Sequence, residues 1–193
     1  IRLNDVLSNL LEISVISAGK KIQITNTNFD IEKIINDIIV MFNDKIKKQN
    51  NLVSYKISCD RIIFSDPVRI QQILYNLIGN AIKFTDRGIV QISVELKDEE
   101  YLFKVKDTGI GIEREFVDEI FDPFKQLEAA NSRKFQGVGL GLSVCKKFVE
   151  ALKGKIWVDS EPGKGSIFYF SIPAGHIFVR KYEIENTQEV ISV

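Results

Sequence analysis

The sequence predicts an α/β two-layer sandwich, in which helices lie on one face of a mixed β-sheet. Long helical patterns alternate along the chain with pairs of strand-like segments, and that order builds a sheet covered by helices. The segments 89–96 and 101–106 are joined by the charged turn 97–100, so they form an antiparallel hairpin. Such a hairpin argues against an all-parallel, doubly wound sheet. A chain of 193 residues can hold one domain with a sizeable core, with or without an appendage.

Composition is that of an ordinary soluble globular protein, with 45% hydrophobic and 27% charged residues. The formal net charge is zero, which gives no electrostatic reason to expect a nucleic-acid partner. No apolar run approaches the roughly 20 residues of a membrane span, and no signal peptide is visible. Cys59 and Cys145 lack a CxxC companion, so we expect two buried, reduced thiols. A first residue of Ile1 is consistent with a piece of a longer protein.

Two helical patterns come before the first predicted strand. Residues 1–17 carry a heptad-like apolar stripe that suits a helix of a multi-helix bundle, and Gly19 can end that helix. The stripe consists of Leu3, Val6, Leu7, Leu10, Leu11 and Ile13. After a loop at 26–28, Asp30 can cap a second helix that continues to a lysine-rich end near residue 48. Its apolar positions are Ile31, Ile34, Ile35, Ile38 and Phe42.

The middle of the chain predicts two strands and a long helix. Residues 52–58 alternate apolar and polar side chains, as does a short run around Ile63. Asp66 followed by Pro67 is a helix cap with proline at the first helical position, and the helix extends to about Phe84.

The last third of the chain predicts a short helix at 113–121, a fourth helix that ends at Gly154, and strands at 155–159 and 166–172. The inward positions of the fourth helix are Val144, Cys145, Phe148, Val149 and Leu152. Residues 125–136 are mostly polar and match no core-facing period. A segment of this length beside glycine-rich turns is typical of a mobile lid.

The long middle helix carries a polar stripe on an otherwise apolar pattern. Its members recur in steps of three and four: Arg69, Gln72, Asn76, Asn80 and Lys83. Two interpretations are open, a solvent-facing stripe of an amphipathic helix or a binding surface in which amides supply oxygen ligands and lysine supplies charge for phosphates.

Two glycine-rich turns flank the predicted lid. Asp107-Thr108-Gly109-Ile110-Gly111-Ile112 ends a strand, and Gly137-Val138-Gly139-Leu140-Gly141 opens a helix, where backbone N–H groups can meet an anion. A dinucleotide-binding interpretation is disfavoured because Leu142 stands where a third glycine is needed and a polar stretch, not a strand, comes before. A Walker A loop is excluded because no Gly-Lys-Ser/Thr follows the glycines.

In this order and spacing the motifs resemble the ATP-binding domain of sensor histidine kinases. The segment 76–84 resembles the N box, the first glycine turn the G1 box, Phe121-Asp122-Pro123-Phe124 the F box, and the second glycine turn the G2 box. The resemblance covers roughly residues 60–173, and more loosely residues 1–59. It implies a Bergerat-type ATP-binding fold. It also implies three parts: the end of the second dimerisation-hairpin helix at 1–18, a catalytic domain at 19–173, and a linker or tail at 174–193.

The resemblance also implies roles for particular residues. Asn80 would be the Mg²⁺ ligand, with Asn76 and Lys83 beside the phosphates of ATP. Asp107 would select adenine, because an ionised carboxylate only accepts hydrogen bonds and can receive one from the exocyclic amine, where guanine presents an oxygen. Ser166 would support Asp107 through water. The other implied nucleotide-binding residues are Phe84, Gly109, Gly111, Ile112, Phe124, Arg133, Gly137, Gly139, Leu140, Gly141 and Leu142.

Simpler interpretations remain for several of these residues. Asp107 is also an ordinary turn-initiating residue before glycine. Phe121, Pro123 and Phe124 could be core and turn residues, and Arg133 with its neighbour Lys134 could be a solvated charge pair.

The sequence favours a kinase over a hydrolase of the same superfamily. Related ATPases carry a glutamate four residues before the metal-binding asparagine, and here that position is Asn76, an amide that cannot take a proton from water. Val138 departs from the threonine that is common in the G2 box. No H box is present, since the single histidine, His176, lies past the last family strand.

We therefore expect a catalytic domain that binds ATP and Mg²⁺ and transfers phosphate to a histidine supplied by dimerisation helices. The expected partners are those helices, in a homodimer, and a response regulator or receiver domain. A cytoplasmic location is expected, compatible with a membrane anchor elsewhere in the protein or with a hybrid kinase. The alternative is a non-catalytic ATP-binding module or an ATPase.

Overall fold

The computed structural model describes residues 21–123 and 139–175. The predicted helix at 1–17, the predicted lid at 125–136 and nearly all of the tail lie outside the described residues. Among those that are described, no helix is long and apolar enough to cross a membrane.

A five-stranded mixed sheet forms one layer of the fold, which confirms the predicted sandwich. The strand order is β2-β4-β5-β7-β6. The strands are β2 (Leu52–Ser58), β4 (Ile89–Lys97), β5 (Glu100–Asp107), β6 (Lys155–Glu161) and β7 (Gly165–Pro173). Only β2 and β4 pair in parallel; the other three pairings are antiparallel. The predicted hairpin is confirmed, and its two turn residues, Asp98 and Glu99, have φ of 50° and 62°, as tight hairpin turns require.

Helices α1 (Ile31–Met41), α2 (Asn43–Lys48), α3 (Pro67–Phe84) and α4 (Gly141–Ala151) form the second layer. Alternate residues of the central strands are buried beneath them, as period-two patterning dictates. The core includes Ile73, Leu77, Val94, Phe103, Phe148 and Phe170, with the rings of Phe103 and Phe170 stacked at 4.2 Å. The start of α3 follows the sequence prediction, since Asp66 accepts hydrogen bonds from the N–H groups of Val68 and Arg69 at 3.0 and 3.1 Å.

The predicted loop at 26–28 is wrong for Thr27 and Asn28, because Thr27–Asp30 forms strand β1. It pairs antiparallel with β3 (Ile62–Ser65), so these strands make a separate two-stranded sheet. A polar run such as Thr27-Asn28 has no strand pattern of its own, and only pairing with β3 decides its conformation.

The second predicted helix is two helices. It breaks at Phe42, whose φ of −96° and ψ of 2° leave the helical region. The Phe42 ring packs 5.0 Å from the ring of Tyr75 on α3. We attribute the break to this tertiary contact, because no glycine or proline marks it in the sequence.

Two further predictions need correction. The helix predicted at 113–121 is only one 3₁₀ turn, Arg114–Phe116, followed by turns. The fourth helix ends at Ala151 and not at Gly154, and the left-handed residue that follows it is Lys153, with φ of 62°. Gly154 is needed for packing instead, because a Cβ there would collide with the carbonyl oxygen of Ser171.

Candidate functional site

The polar stripe of α3 lies between water and the core, since all five of its residues are half-buried. At its N-terminal end, the Arg69 guanidinium stacks 4.7 Å from the centre of the Phe148 ring on α4. The same group donates to Gln72 Oε1 at 2.9 Å. The stripe is therefore a packed surface against α4 at this end, and not simply a solvated helix face.

Asn76 connects the stripe to the second glycine turn. Its Nδ2 donates to the backbone oxygen of Gln72 at 3.1 Å. Its Oδ1 lies 2.9 Å from the position that a Cβ at Gly141 would occupy. The fold thus brings together two motifs that are 65 residues apart, and the absence of a side chain at position 141 is what lets α4 begin against Asn76.

The start of α4 combines a left-handed glycine with a buried leucine. Gly139 has φ of +72°, a conformation that other residues rarely adopt. Leu140 is buried, and its carbonyl accepts from Ser143 Oγ at 2.9 Å and from the N–H of Val144 at 3.0 Å. Leu142 packs against the core. The predicted site residues Phe124, Arg133 and Gly137 lie outside the described part of the chain.

Lys83 and Phe84 form the C-terminal end of the stripe. The Lys83 ammonium lies 4.7 Å from the centre of the Phe84 ring. Desolvation, and then the charge of Lys45, lower the pKa of Lys83. The backbone oxygen of Phe84 accepts from the N–H of Ile110 in the first glycine turn at 3.3 Å, so this turn is attached directly to the end of α3.

Asn51 fixes the end of α3, and sequence reasoning missed it. This buried amide donates to the carbonyls of Ile82 and Thr85 at 3.4 and 2.9 Å and accepts from the N–H of Gly88 at 3.1 Å. These bonds satisfy carbonyls that a helix end leaves without partners. No motif marks Asn51, because the helix end that it caps is more than 30 residues away in the sequence.

Asp107 is a buried carboxylate at the end of β5, with 5% of its surface exposed. Its Oδ1 accepts from the N–H groups of Gly109 at 2.8 Å and Ser166 at 3.3 Å. Burial raises the pKa of Asp107, and these two bonds oppose that rise. Both of these N–H groups bond Oδ1. The other carboxylate oxygen, Oδ2, accepts from none of the described residues and can receive another donor.

Three glycines let separate segments close around Asp107, and we call residues 107–112 with 160–166 the Asp107 corner. A Cβ at Gly109 would clash with the carbonyl oxygen of Phe84, and one at Gly111 with that of Glu161. A Cβ at Gly165 would clash with the carbonyl oxygen of Asp107 itself. The resemblance implied Gly109 and Gly111 as nucleotide-binding residues, and it gave no role to Gly165.

Ser166 donates its backbone N–H to Asp107, and the support through water that the resemblance implies for its hydroxyl stays a prediction. That hydroxyl lies 2.8 Å from Ser160 Oγ. Ser160 Oγ also bonds the Gly165 carbonyl at 3.1 Å and accepts from the N–H of Ile112 at 2.9 Å. The single hydroxyl proton of Ser160 goes to the carbonyl, so Ser166 donates in the serine pair. Ser160, which no motif signalled, joins β6 to the glycine turn.

The family comparison agrees with this geometry. The sequence model of the histidine kinase-, DNA gyrase B- and HSP90-like ATPases matches residues 65–176, more than half of the chain. The chain belongs to this family. It is 37% identical over 186 residues to hybrid signal transduction histidine kinase B of Dictyostelium discoideum, covering 89% of this chain and 9% of that protein. It is 34% identical over 186 residues to sensor histidine kinase RcsC of Salmonella typhimurium, covering 95% of this chain and 19% of that protein. The chain therefore spans less than a fifth of either relative.

Solved histidine kinases have the same fold. The catalytic domain of histidine kinase ThkA is 31% identical, with a TM-score of 0.68 over 78% of this chain and 96% of that domain. Full-length ShkA in complex with AMPPNP is 27% identical, with a TM-score of 0.77 over 89% of this chain and 36% of that one. ThkA in complex with the response regulator TrrA is 28% identical, with a TM-score of 0.68 over 89% of this chain and 49% of that one. The chain thus shares with these kinases their catalytic, ATP-binding domain.

Proposed function

We propose that this chain binds Mg-ATP and transfers the γ-phosphoryl group to a histidine on a dimerisation helix that its 193 residues do not include. The observation that carries the proposal is the geometry of Asp107, a buried carboxylate with both protein donors on one oxygen. The proposed division is a partial dimerisation helix at 1–18, the catalytic domain at 19–173 and a tail at 174–193.

Adenine recognition would rest on the second carboxylate oxygen. An ionised carboxylate accepts and never donates, so Oδ2 of Asp107 can receive the exocyclic amine of adenine and would repel the oxygen that guanine presents at that position. The two N–H donors hold the group in one orientation before nucleotide arrives, which lowers the ordering cost of binding. Phe84, Ile112 and Gly111 would contribute to the walls around the base.

The phosphates would lie between α3 and the start of α4. Asn76 already meets Gly141 there. Lys83 would supply positive charge, and backbone N–H groups from Gly139 to Leu142 would meet the anion at the first turn of α4. Mg²⁺ prefers hard oxygen ligands and keeps several of them from water and phosphate, so one amide oxygen from Asn80 fits the protein's share. Bound Mg²⁺ would neutralise charge on the phosphates.

The chemistry favours transfer to a histidine over hydrolysis. A neutral imidazole nitrogen attacks the γ-phosphorus with its own lone pair, the bond from that phosphorus to the bridging oxygen breaks, and ADP leaves. Water needs a base for the same attack, and Asn76 offers only an amide, which does not take a proton at neutral pH.

The proposed partners follow from this chemistry. The dimerisation helices of the same protein would present the histidine, in a homodimer. A response regulator or receiver domain would accept the phosphate, and ThkA forms a complex with a response regulator. We propose a cytoplasmic location for this domain, where ATP is available.

Incubation with γ-labelled ATP tests the proposal. The chain is mixed with a fragment of its own longer protein that carries the dimerisation helices. We expect acid-labile label on that fragment only, and slow ATP turnover by the chain alone. Rapid turnover without the fragment would assign the chain to the ATPases. Nucleotide binding without any transfer would make it a regulatory ATP-binding module.

A further inference from the structure

The hydroxyl of Ser160 uses its full hydrogen-bonding capacity within the Asp107 corner. A serine hydroxyl has one proton to donate and two lone pairs with which to accept. The proton goes to the Gly165 carbonyl at 3.1 Å. The oxygen accepts from the N–H of Ile112 at 2.9 Å and from the Ser166 hydroxyl at 2.8 Å. Three partners fix the position of this group, because any displacement loses a hydrogen bond at a partly buried place.

Two of these bonds hold peptide units that follow left-handed glycines. The Ile112 N–H belongs to the peptide unit after Gly111, which has φ of +70°. The bound carbonyl belongs to the peptide unit after Gly165, which has φ of +103°. Glycine restricts the adjoining peptide units less than any other residue does. The backbone after both glycines therefore needs an outside contact to fix its direction, and Ser160 supplies that contact to both.

The second of these peptide units carries a donor to Asp107. In a trans peptide the C=O and N–H groups point in opposite directions. The unit that joins Gly165 to Ser166 accepts the Ser160 proton on its carbonyl. On its other side, the Ser166 N–H donates to Asp107 Oδ1 at 3.3 Å. Ser160 thus orients this N–H through the peptide plane, although none of its own hydrogen bonds goes to the carboxylate.

The turn between β6 and β7 holds the first glycine turn from the same side. The Gly163 N–H donates to the carbonyl of Ile110 at 2.7 Å. Two residues later, the N–H of Ile112 donates to Ser160. This short segment is therefore fixed at both ends by the β6–β7 hairpin, by a backbone bond at one end and by the Ser160 hydroxyl at the other.

We propose that Ser160 is a positioning residue for base recognition, which fixes two glycine peptide units of the Asp107 corner and so directs the Ser166 N–H at Asp107. The inference rests on the proposed function and deepens it. Ser160 acts on the adenine end of the proposed site, whereas the phosphates would lie between α3 and the start of α4. Its loss should therefore weaken the binding of ATP, ADP and adenosine by the same factor and lower the preference for adenine over guanine.

Calorimetry with ATP, ADP, adenosine and GTP tests this role. We expect Ser160→Ala to weaken binding of the three adenine ligands by about 10-fold, the scale for a lost hydrogen bond in a preorganised site. GTP affinity should change less, so the ratio of ATP to GTP affinity falls. In transfer to added dimerisation helices, KM for ATP should rise while kcat is kept. Ser160→Thr keeps the hydroxyl, suits a β-strand and should bind ATP like the unaltered chain.

Val158→Ala is the matched structural control. Val158 is a buried residue of β6, two positions before Ser160, so its truncation lowers folding stability without removing a hydrogen bond of the corner. Below the unfolding temperature of every variant, Val158→Ala should keep the ratio of ATP to GTP affinity of the unaltered chain.

A measurement without nucleotide separates the role of Ser160 from the proposed function. Burial raises the pKa of Asp107, and the N–H bonds of Gly109 and Ser166 lower it. Ser160→Ala should weaken the bond from Ser166, so the pKa of Asp107 should rise further. NMR titration of the carboxyl carbon measures this pKa, which should stay unchanged in Ser160→Thr and Val158→Ala.

Three results would overturn the assignment. The first is an unchanged pKa of Asp107 in Ser160→Ala. The second is a Ser160→Thr variant that binds ATP as weakly as Ser160→Ala. The third is an equal loss of base selectivity in Val158→Ala, which would indicate only a general effect of weakened folding. An unaltered chain that binds neither adenosine nor ATP would refute the proposed function instead, and the pKa would still decide whether Ser160 positions Asp107.

Discussion

At the Asp107 corner, two separate segments of the chain meet at one carboxylate, whereas on α3 a single helix carries every polar group of the stripe. The corner holds Asp107 with two N–H donors and closes through glycines at 109, 111 and 165. The stripe needs only helical spacing and half-burial. The corner is therefore a preorganised site whose assembly costs folding free energy. The stripe places polar groups on a helix that is stabilised by its apolar face.

We relate this difference to the proposed roles of the two regions, base recognition at the Asp107 corner and catalysis at the stripe of α3. A carboxylate buried beside backbone carbonyls costs free energy of folding, as the raised pKa of Asp107 indicates. Such a cost is typical of sites that must be rigid before the ligand arrives. A half-buried amide such as Asn80 carries little cost, so we expect substitutions in the stripe to change activity and those in the corner to change folding or base selection.

The largest expected effect is that of Asn80→Ala on phosphoryl transfer. Loss of a metal ligand should reduce transfer by about 100-fold or more. Folding should be preserved, because the residue is half-buried and alanine favours a helix. Transfer to added dimerisation helices and thermal unfolding measure the two quantities, with the exposed Asn36→Ala on α1 as control. A large loss of folding stability would contradict the comparison, since the stripe would then be structural.

The next effect is that of Gly111→Ala on folding. Gly111 has φ of +70°, and an added Cβ would also meet the Glu161 carbonyl. We expect the free energy of unfolding to fall by about 2–4 kcal/mol. Gly163→Ala is the matched control, since Gly163 has φ of +76° with open space around it and should cost only about 1 kcal/mol. Urea unfolding measures both free energies. An equal loss of unfolding free energy in Gly111→Ala and Gly163→Ala would show that the corner is not tightly closed.

Asp107→Asn should weaken ATP binding by about 1–3 kcal/mol, the range for a lost hydrogen bond to a charged group. The asparagine oxygen can still accept from Gly109 and Ser166, and no charge is buried, so thermal stability should be equal or slightly higher. Calorimetry with ATP and GTP, together with thermal unfolding, measures both. Equal affinity of the unaltered chain for ATP and GTP would remove Asp107 from base selection.

The smallest effect is a pH dependence of ATP binding. Burial raises the pKa of Asp107 above 3.8 in the folded protein, so acidification protonates the acceptor before it would in a free carboxyl group. ATP affinity should fall as the pH drops through that raised pKa, in a window that begins above 3.8. Stability changes in the opposite sense: the folded state binds the proton more tightly, so this group stabilises folding at low pH and that contribution is lost as the pH rises through the folded pKa. Both pH dependences, that of ATP affinity and that of folding stability, should vanish in Asp107→Asn to the extent that they come from this carboxyl group.

The sequence by itself determined the elements whose cause is local. Alternation gave the central strands, Asp66 and Pro67 marked the start of α3, and steps of three and four placed the polar stripe on one helix face. The order of the glycine motifs indicated the family, which the comparison confirms. The roles assigned to individual site residues stay predictions.

Only the tertiary structure decided the features whose partners are distant in sequence. The strand at 27–30 exists because it pairs with β3, and the helix breaks at Phe42 because that ring packs on α3. Asn51 caps α3 from a distant part of the chain, and the backbone N–H of Ser166 bonds Asp107. A residue type records what a side chain can do, but a backbone N–H is common to nearly all residues, and its direction is fixed only when the sheet is assembled.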